Sequence, residues 1–208
     1  MRSRKLAVID YGTGNLRSVI KAFEYLGSTV DIVNKPQDLG AVDAIIFPGQ
    51  GSYDQCMGQL QRTGLDETLK TWIRNDLPFF GICLGLQVLF ESSEEGQLPG
   101  LGLFEGQVVR FRLNSELKIP HMGWNRVCWN LPSDYWVRKN LDEQDQFYFV
   151  HSYRVETSDQ RLIKFQTHYG QFFTSGIISS NCMATQFHPE KSQTKGLQLY
   201  RNFLENIG

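Results

Sequence analysis

A chain of 208 residues, 41% of them hydrophobic, is long enough to bury about seven-tenths of its unfolded surface in one core, so a single domain over residues 1–208 is expected. The net charge of −1 gives no support for nucleic acid or an anionic membrane as a partner, and no apolar stretch approaches the roughly 18 residues of a membrane span. The basic start Met1-Arg2-Ser3-Arg4-Lys5 is followed by too short an apolar run for a secretion signal, which makes the cytoplasm the expected location.

Residues 5–10 read as a first strand and 15–26 as an amphipathic helix with Leu16, Val19, Ile20, Phe23 and Leu26 on one face, stopped by Gly27. The turn Gly12-Thr13-Gly14 between them is not a dinucleotide fingerprint, because Arg17 stands where the third glycine is required. A second strand covers 29–33. The continuous apolar run Ala44-Ile45-Ile46-Phe47 reads as a buried central strand feeding Pro48-Gly49-Gln50-Gly51-Ser52. Such a loop at a strand's carboxyl end can offer backbone N–H groups to a developing negative charge, or can be a plain turn. Helical segments follow at 53–61 and 65–75.

The strand predicted at 79–82 delivers Gly81-Ile82-Cys83-Leu84-Gly85, with Leu86-Gln87-Val88-Leu89-Phe90 read as the helix behind it. Strand, glycine, nucleophile, glycine and helix is the layout of a nucleophile elbow, here with a thiol. The glycines are needed where a Cβ would strike neighbouring backbone, the nucleophile is expected in a strained conformation, and the helix N-terminus is expected to favour the thiolate.

From 107 to 186 the pattern changes to short alternating runs, such as Gln146-Phe147-Tyr148-Phe149-Val150 and Phe172-Phe173-Thr174-Ser175-Gly176-Ile177-Ile178, which predict antiparallel strands added to the core sheet. Ala184-Thr185-Gln186-Phe187-His188-Pro189-Glu190 reads as a strand ending in a histidine and a glutamate two positions apart, and alternation predicts that both share a face. A cysteine nucleophile needs such a base, and the base needs a carboxylate to fix its tautomer. Residues 196–207 close the chain as a helix. The four cysteines (Cys56, Cys83, Cys128, Cys182) contain no C-x-x-C pair and share no ligand spacing with the four histidines, so neither a metal nor another cofactor is expected. Cys56 and Cys182 read as structural.

The elbow cysteine, the Pro-Gly-x-Gly loop and the late His-Pro-Glu together resemble the class I glutamine amidotransferases, over essentially the whole chain. Asp10-Tyr11-Gly12-Thr13-Gly14-Asn15-Leu16, Pro120-His121-Met122-Gly123-Trp124-Asn125, His151-Ser152-Tyr153 and His188-Pro189-Glu190-Lys191-Ser192 look like the branch that serves imidazole glycerol phosphate synthase. The resemblance implies an α/β fold: a mostly parallel sheet flanked by helices, with additional antiparallel strands. It implies hydrolysis of L-glutamine by Cys83, His188 and Glu190, with the oxyanion held by the backbone N–H groups of Leu84 and, if its peptide faces inward, Gln50. Gly51, Gln87, Ser152 and Tyr153 are implied as substrate contacts. Asn15, Met122, Trp124 and Lys191 are implied at the face toward a (β/α)8-barrel cyclase that consumes the ammonia. Two other readings stay open at this level: a non-catalytic glutamine-binding module, and the same chemistry feeding a related barrel in surface-sugar amidation.

Overall fold

The computed structural model describes residues 3–12, 16–113 and 117–207. The first part alternates strand and helix: β1 (Lys5–Ile9), α1 (Leu16–Tyr25), β2 (Thr29–Val33), β3 (Ala44–Phe47), α2 (Tyr53–Thr63), α3 (Leu65–Arg74), β4 (Phe79–Ile82) and α4 (Leu84–Gln87). Short strands then dominate: β5 (Ser92–Ser93), β6 (Gln107–Arg110), β7 (His121–Arg126), β8 (Cys128–Trp129), β9 (Gln146–His151), β10 (Tyr153–Glu156), β11 (Ile163–His168), β12 (Phe172–Ser179) and β13 (Cys182–Thr185), before α5 (Gln193–Asn206).

The main sheet runs β2-β1-β3-β4-β13-β12-β10-β6-β5, with β11 and β8 joined through β12. The block β2-β1-β3-β4-β13 is parallel, and β12 turns the sheet antiparallel. Alternation along each strand splits the apolar residues between two cores. Leu6 and Val8 of β1, Ala44 and Ile46 of β3, and Phe80 and Ile82 of β4 pack with α1 and α5. Ala7, Ile9, Ile45, Phe47 and Phe79 pack with α2, α3 and α4 on the other face. This explains why β3 and β4 read as continuous apolar runs: both faces are covered. Gly64, at φ +77, ends α2 in the left-handed conformation and starts α3 in the same residue.

Two sequence expectations are corrected here. The run 146–150 does form a strand, β9, but it pairs with β7 in a separate two-stranded ribbon rather than extending the main sheet. The reason lies in its alternation: Phe147 and Phe149 are fully buried and pack on Phe187, Phe165 and Phe173, so the ribbon lies on the sheet's aromatic face. The helix behind the elbow is also only the single turn Leu84–Gln87. Beyond it the backbone of Leu101, Gly102, Leu103 and Phe104 donates to the carbonyls of Val88, Phe90 and Leu89, which draws the apolar run out of helical pairing. Among the described residues no helix is long and apolar enough to cross a membrane.

Candidate active site

Cys83 sits at the carboxyl end of β4 with φ +52 and ψ −102, a strained backbone for a residue bearing a side chain. Its N–H donates to the Thr185 carbonyl of β13 at 2.7 Å, while its carbonyl accepts from Leu86 N–H at 3.0 Å. The flanking glycines are required sterically. A Cβ on Gly81 would stand 2.5 Å from the Gly85 oxygen, and one on Gly85 would stand 2.4 Å from the Phe47 oxygen. Gly49 obeys the same constraint from the facing loop: its Cβ would meet the backbone nitrogen of Leu84 at 2.3 Å. The Pro48-Gly49-Gln50-Gly51 segment therefore presses directly on the elbow, and Gly51, at φ +96, turns it away again.

His188 and Glu190 do meet, with His188 Nδ1 2.7 Å from Glu190 Oε1, but strand alternation is not what joins them. β13 ends at Thr185, and Pro189, Glu190 and Lys191 form a 3-10 turn. Pro189 supplies the fixed φ that starts the turn, and both Lys191 N–H and the Ser192 hydroxyl donate to the His188 carbonyl. His188 itself is tied to the ribbon, since its N–H donates to the Tyr148 carbonyl at 2.9 Å. Tyr200 of α5 donates to the second oxygen of Glu190 at 3.3 Å. Burial alone would depress the His188 imidazole, yet the facing Cys83 sulfur and the Glu190 carboxylate raise its pKa to about 9.

Cys83, Leu84, Gln50, Gly51, Gln87, Ser152, Tyr153, His188 and Lys191 all line one cavity of about 440 Å³, in the size range of small-molecule sites. Nine of the thirteen sequence-derived candidates are thus gathered here. Glu190 stands behind His188, outside the cavity lining. Met122 and Trp124 lie elsewhere, on the outer face of β7, 62% and 44% exposed; that exposure rules out a core role for the tryptophan. Asn15 lies outside the described residues. A larger groove of about 590 Å³ near Arg154 and Glu156 holds no cysteine or histidine.

One expected donor points away from the nucleophile. Gln50 N–H donates to the Tyr11 hydroxyl at 2.9 Å, and that hydroxyl donates in turn to the Gln50 carbonyl at 2.8 Å. The inward peptide that an oxyanion donor requires at this position is therefore not the conformation adopted.

The structure adds residues that the sequence reading passed over. Glu95 is a carboxylate lining the same cavity, with its pKa raised by desolvation despite a lowering backbone hydrogen bond at Tyr53. Gln186, fully buried, places Nε2 3.5 Å from Cys83 Sγ, and its Oε1 accepts from Gln87 Nε2 at 3.1 Å. Its position two residues before His188 was the available signal. His121 and His151 form a buried pair, Nδ1 to Nε2 at 3.0 Å, and His151 Nδ1 faces the Tyr153 carbonyl at 2.8 Å. Burial pushes them down to about 4 and about 3, so both are neutral at neutral pH. The Tyr153 carbonyl makes His151 Nδ1 the protonated nitrogen, which leaves Nε2 to accept from His121.

Comparison with known proteins gives a consistent result. The family model for glutamine amidotransferase class-I matches residues 7–207. The chain is 47% identical over 202 residues to imidazole glycerol phosphate synthase subunit HisH of Acinetobacter baylyi, covering 97% of this chain and 98% of that one. It is 46% identical over 208 residues to the protein of the same name from Aromatoleum aromaticum, covering 96% and 97%. Among solved structures, that of PurLQS from Thermotoga maritima superposes with a TM-score of 0.77 at 18% identity, covering 99% of this chain and 100% of the other, which is a likeness of fold.

Proposed function

The chain belongs to the class-I glutamine amidotransferase family, and on that premise we infer that it hydrolyses L-glutamine to L-glutamate and ammonia as one glutaminase domain, for use by a (β/α)8-barrel cyclase subunit that makes imidazole glycerol phosphate in histidine biosynthesis. Near-full-length identity to two HisH proteins carries the pathway part of this reading. The hydrogen-bonded His188–Glu190 pair facing an elbow cysteine carries the chemistry.

The Cys83 thiolate attacks the amide carbon of glutamine, and the carbonyl electrons move onto oxygen. Leu84 N–H is the donor available to that oxyanion, and Gln50 N–H becomes a second if its peptide turns from Tyr11 toward Cys83. The tetrahedral intermediate collapses as protonated His188 gives its proton to the departing nitrogen, which leaves as ammonia. A glutamyl thioester remains on Cys83. Neutral His188 then takes a proton from water, the resulting hydroxide attacks the thioester carbon, and collapse releases glutamate and restores the thiolate and the protonated imidazole. Glu190 holds the Nδ1–H of His188 through both half-reactions.

The amino-acid end of the substrate carries an ammonium and a carboxylate. Glu95 is the acidic group in the cavity wall and suits the ammonium. Gly51, Gln87, Ser152 and Tyr153 supply the neutral polar contacts. Ammonia released into water at neutral pH is protonated and lost as a nucleophile, so this activity is useful only when docked to its consumer. The exposed Met122 and Trp124 on β7 are the proposed docking face, with Lys191 at the cavity wall and Asn15 as further sequence-based candidates. A reduced thiol nucleophile fits a cytoplasmic enzyme. Steady-state glutamine turnover, measured with the barrel cyclase and its ribulosyl nucleotide ligand present, tests the proposal; absence of glutamate production under those conditions overturns it.

A further inference from the structure

We propose that the side-chain amide of Gln186 is a further catalytic group, which donates Nε2–H to Cys83 Sγ and holds the nucleophile as an aligned thiolate. The inference rests on the reading of Cys83 as the nucleophile. Its starting point is the direction of a buried hydrogen-bond chain. Gln87 Nε2 contacts the Tyr153 carbonyl at 3.2 Å, an acceptor, so this atom of Gln87 is a donor. The Gln186 atom that faces it at 3.1 Å must then be the amide oxygen. The Gln186 nitrogen is left pointing at Cys83 Sγ, 3.5 Å away. An amide nitrogen has no lone pair to accept an S–H proton, so sulfur is the acceptor of this contact.

Two physical arguments make that donor matter. Cys83 is only 9% exposed, and an anion so placed needs donors to replace the water it has lost. The usual source of help behind an elbow, the helix macrodipole, is reduced here to the few aligned peptides of Leu84–Gln87. Gln186 is held firmly in place, being fully buried with its own N–H anchored on the Ser175 carbonyl at 2.9 Å. A hydrogen bond to a charged partner shifts an equilibrium by about tenfold to a hundredfold, enough to decide how much thiolate is present.

The test compares Gln186→Met, which removes the amide at similar length, with Gln186→Glu, which keeps an acceptor for Gln87 but turns an oxygen toward sulfur. Iodoacetamide alkylation of Cys83 is followed by mass spectrometry, with the exposed Cys128 as an internal reference. His188, His151, Glu95, Tyr153 and Lys191, the titratable side chains that line this cavity with Cys83, are retained in both variants. The expected result is a tenfold to hundredfold slower alkylation of Cys83 at pH 7 in both, a rate profile displaced to higher pH, and unchanged Cys128 reactivity. If Gln186→Glu alkylates at the wild-type rate, Gln186 serves only to satisfy Gln87 and the proposal falls. Should the variants not fold, the unmutated chain decides. A glutamine side-chain amide resonance, assigned to Gln186, must move when Cys83 is alkylated; an unmoved resonance overturns the idea. Neither readout uses glutamine, so failure here is distinguishable from failure of the glutaminase reading, which loss of hydrolysis in Cys83→Ala tests by itself.

Discussion

Tyr11→Phe isolates the restraint on the oxyanion loop. The Tyr11 ring is stacked on Phe47 at 5.3 Å and 2% exposed, and phenylalanine preserves that packing while deleting the hydroxyl that grips both the N–H and the carbonyl of Gln50. Each of the two hydrogen bonds contributes about 1 kcal/mol net, so the pair biases the loop toward its present conformation by about 2 kcal/mol, a factor of about 30 in population. Glycines on both sides of Gln50 keep the competing peptide orientation low in backbone strain. In the proposed mechanism the inward orientation supplies a second oxyanion donor, whose absence costs about 10² to 10³ in rate. Glutamine turnover by the isolated chain should therefore rise by up to about 30-fold in Tyr11→Phe, while turnover with the barrel partner and its ligand changes little. The partner's stimulation factor shrinks by the same ratio. Coupled glutamate detection on the free chain and on the complex gives both numbers. If the free variant is no faster than wild type and the stimulation factor is unchanged, the Tyr11 clamp is not what restrains the loop.

Cys83→Ala should lower glutamine hydrolysis by about 10⁶, as expected for a nucleophile acting with its base, yet leave melting temperature and partner binding near wild type; retention of more than a few per cent of activity removes Cys83 from the mechanism. Glu190→Gln keeps one acceptor for His188 Nδ1–H and should lose about 10⁴, less than the roughly 10⁶ of His188→Ala; equal losses in kcat would give Glu190 more than an orienting role. The pH dependence follows from His188, whose burial is outweighed by Cys83 and Glu190 so that its pKa stands raised at about 9. Its contribution to stability is fully present below the unfolded imidazole value near 6.5 and is lost as pH rises through about 9. Cys83→Ala leaves burial opposed by Glu190 alone, so the His188 ring titration, followed by NMR, should move to lower pH. An unmoved titration refutes the Cys83–His188 pairing.

The parts of this molecule that were legible in sequence are those governed by local sterics and by burial on two faces. Ala44–Phe47 and Phe79–Ile82 could be read as central strands because neither carries a polar side chain on either face, and the elbow because two glycines bracket a cysteine where a strand ends. What escaped depends on contacts far apart in the chain. Leu86-Gln87-Val88-Leu89-Phe90 has the composition of a helix, but the backbone of residues 101–104 claims its carbonyls. Glu190 reaches His188 through a 3-10 turn that Pro189 initiates, where strand alternation offered the right pairing for the wrong reason. The Tyr11 hydroxyl finds Gln50 across 39 positions, and Gln186 finds Cys83 across 103, distances over which periodicity carries no information.

Those long-range contacts share a logic that the local motifs do not reveal. Asn125 Nδ2 stands 3.3 Å from His121 Nε2, His121 pairs with His151, His151 donates to the Tyr153 carbonyl, and that carbonyl accepts from Gln87, which fixes Gln186 against Cys83. Both imidazoles in this hydrogen-bond chain are neutral, because burial holds their pKa values well below neutral pH. A charged histidine would need a second acceptor in place of the lone pair it now offers its neighbour, and reversing the His121–His151 link would break the His151 contact with the Tyr153 carbonyl. The two arms converge as donors on the Tyr153 carbonyl, His151 from one side and Gln87 from the other, and the glutamine arm ends on the acceptor character of sulfur. Its outer members, His121 and Asn125, face inward from the same strand, β7, whose alternate residues Met122 and Trp124 face outward. The strand proposed to meet the partner is thus continuous, through hydrogen bonds of fixed polarity, with the atom proposed to attack glutamine.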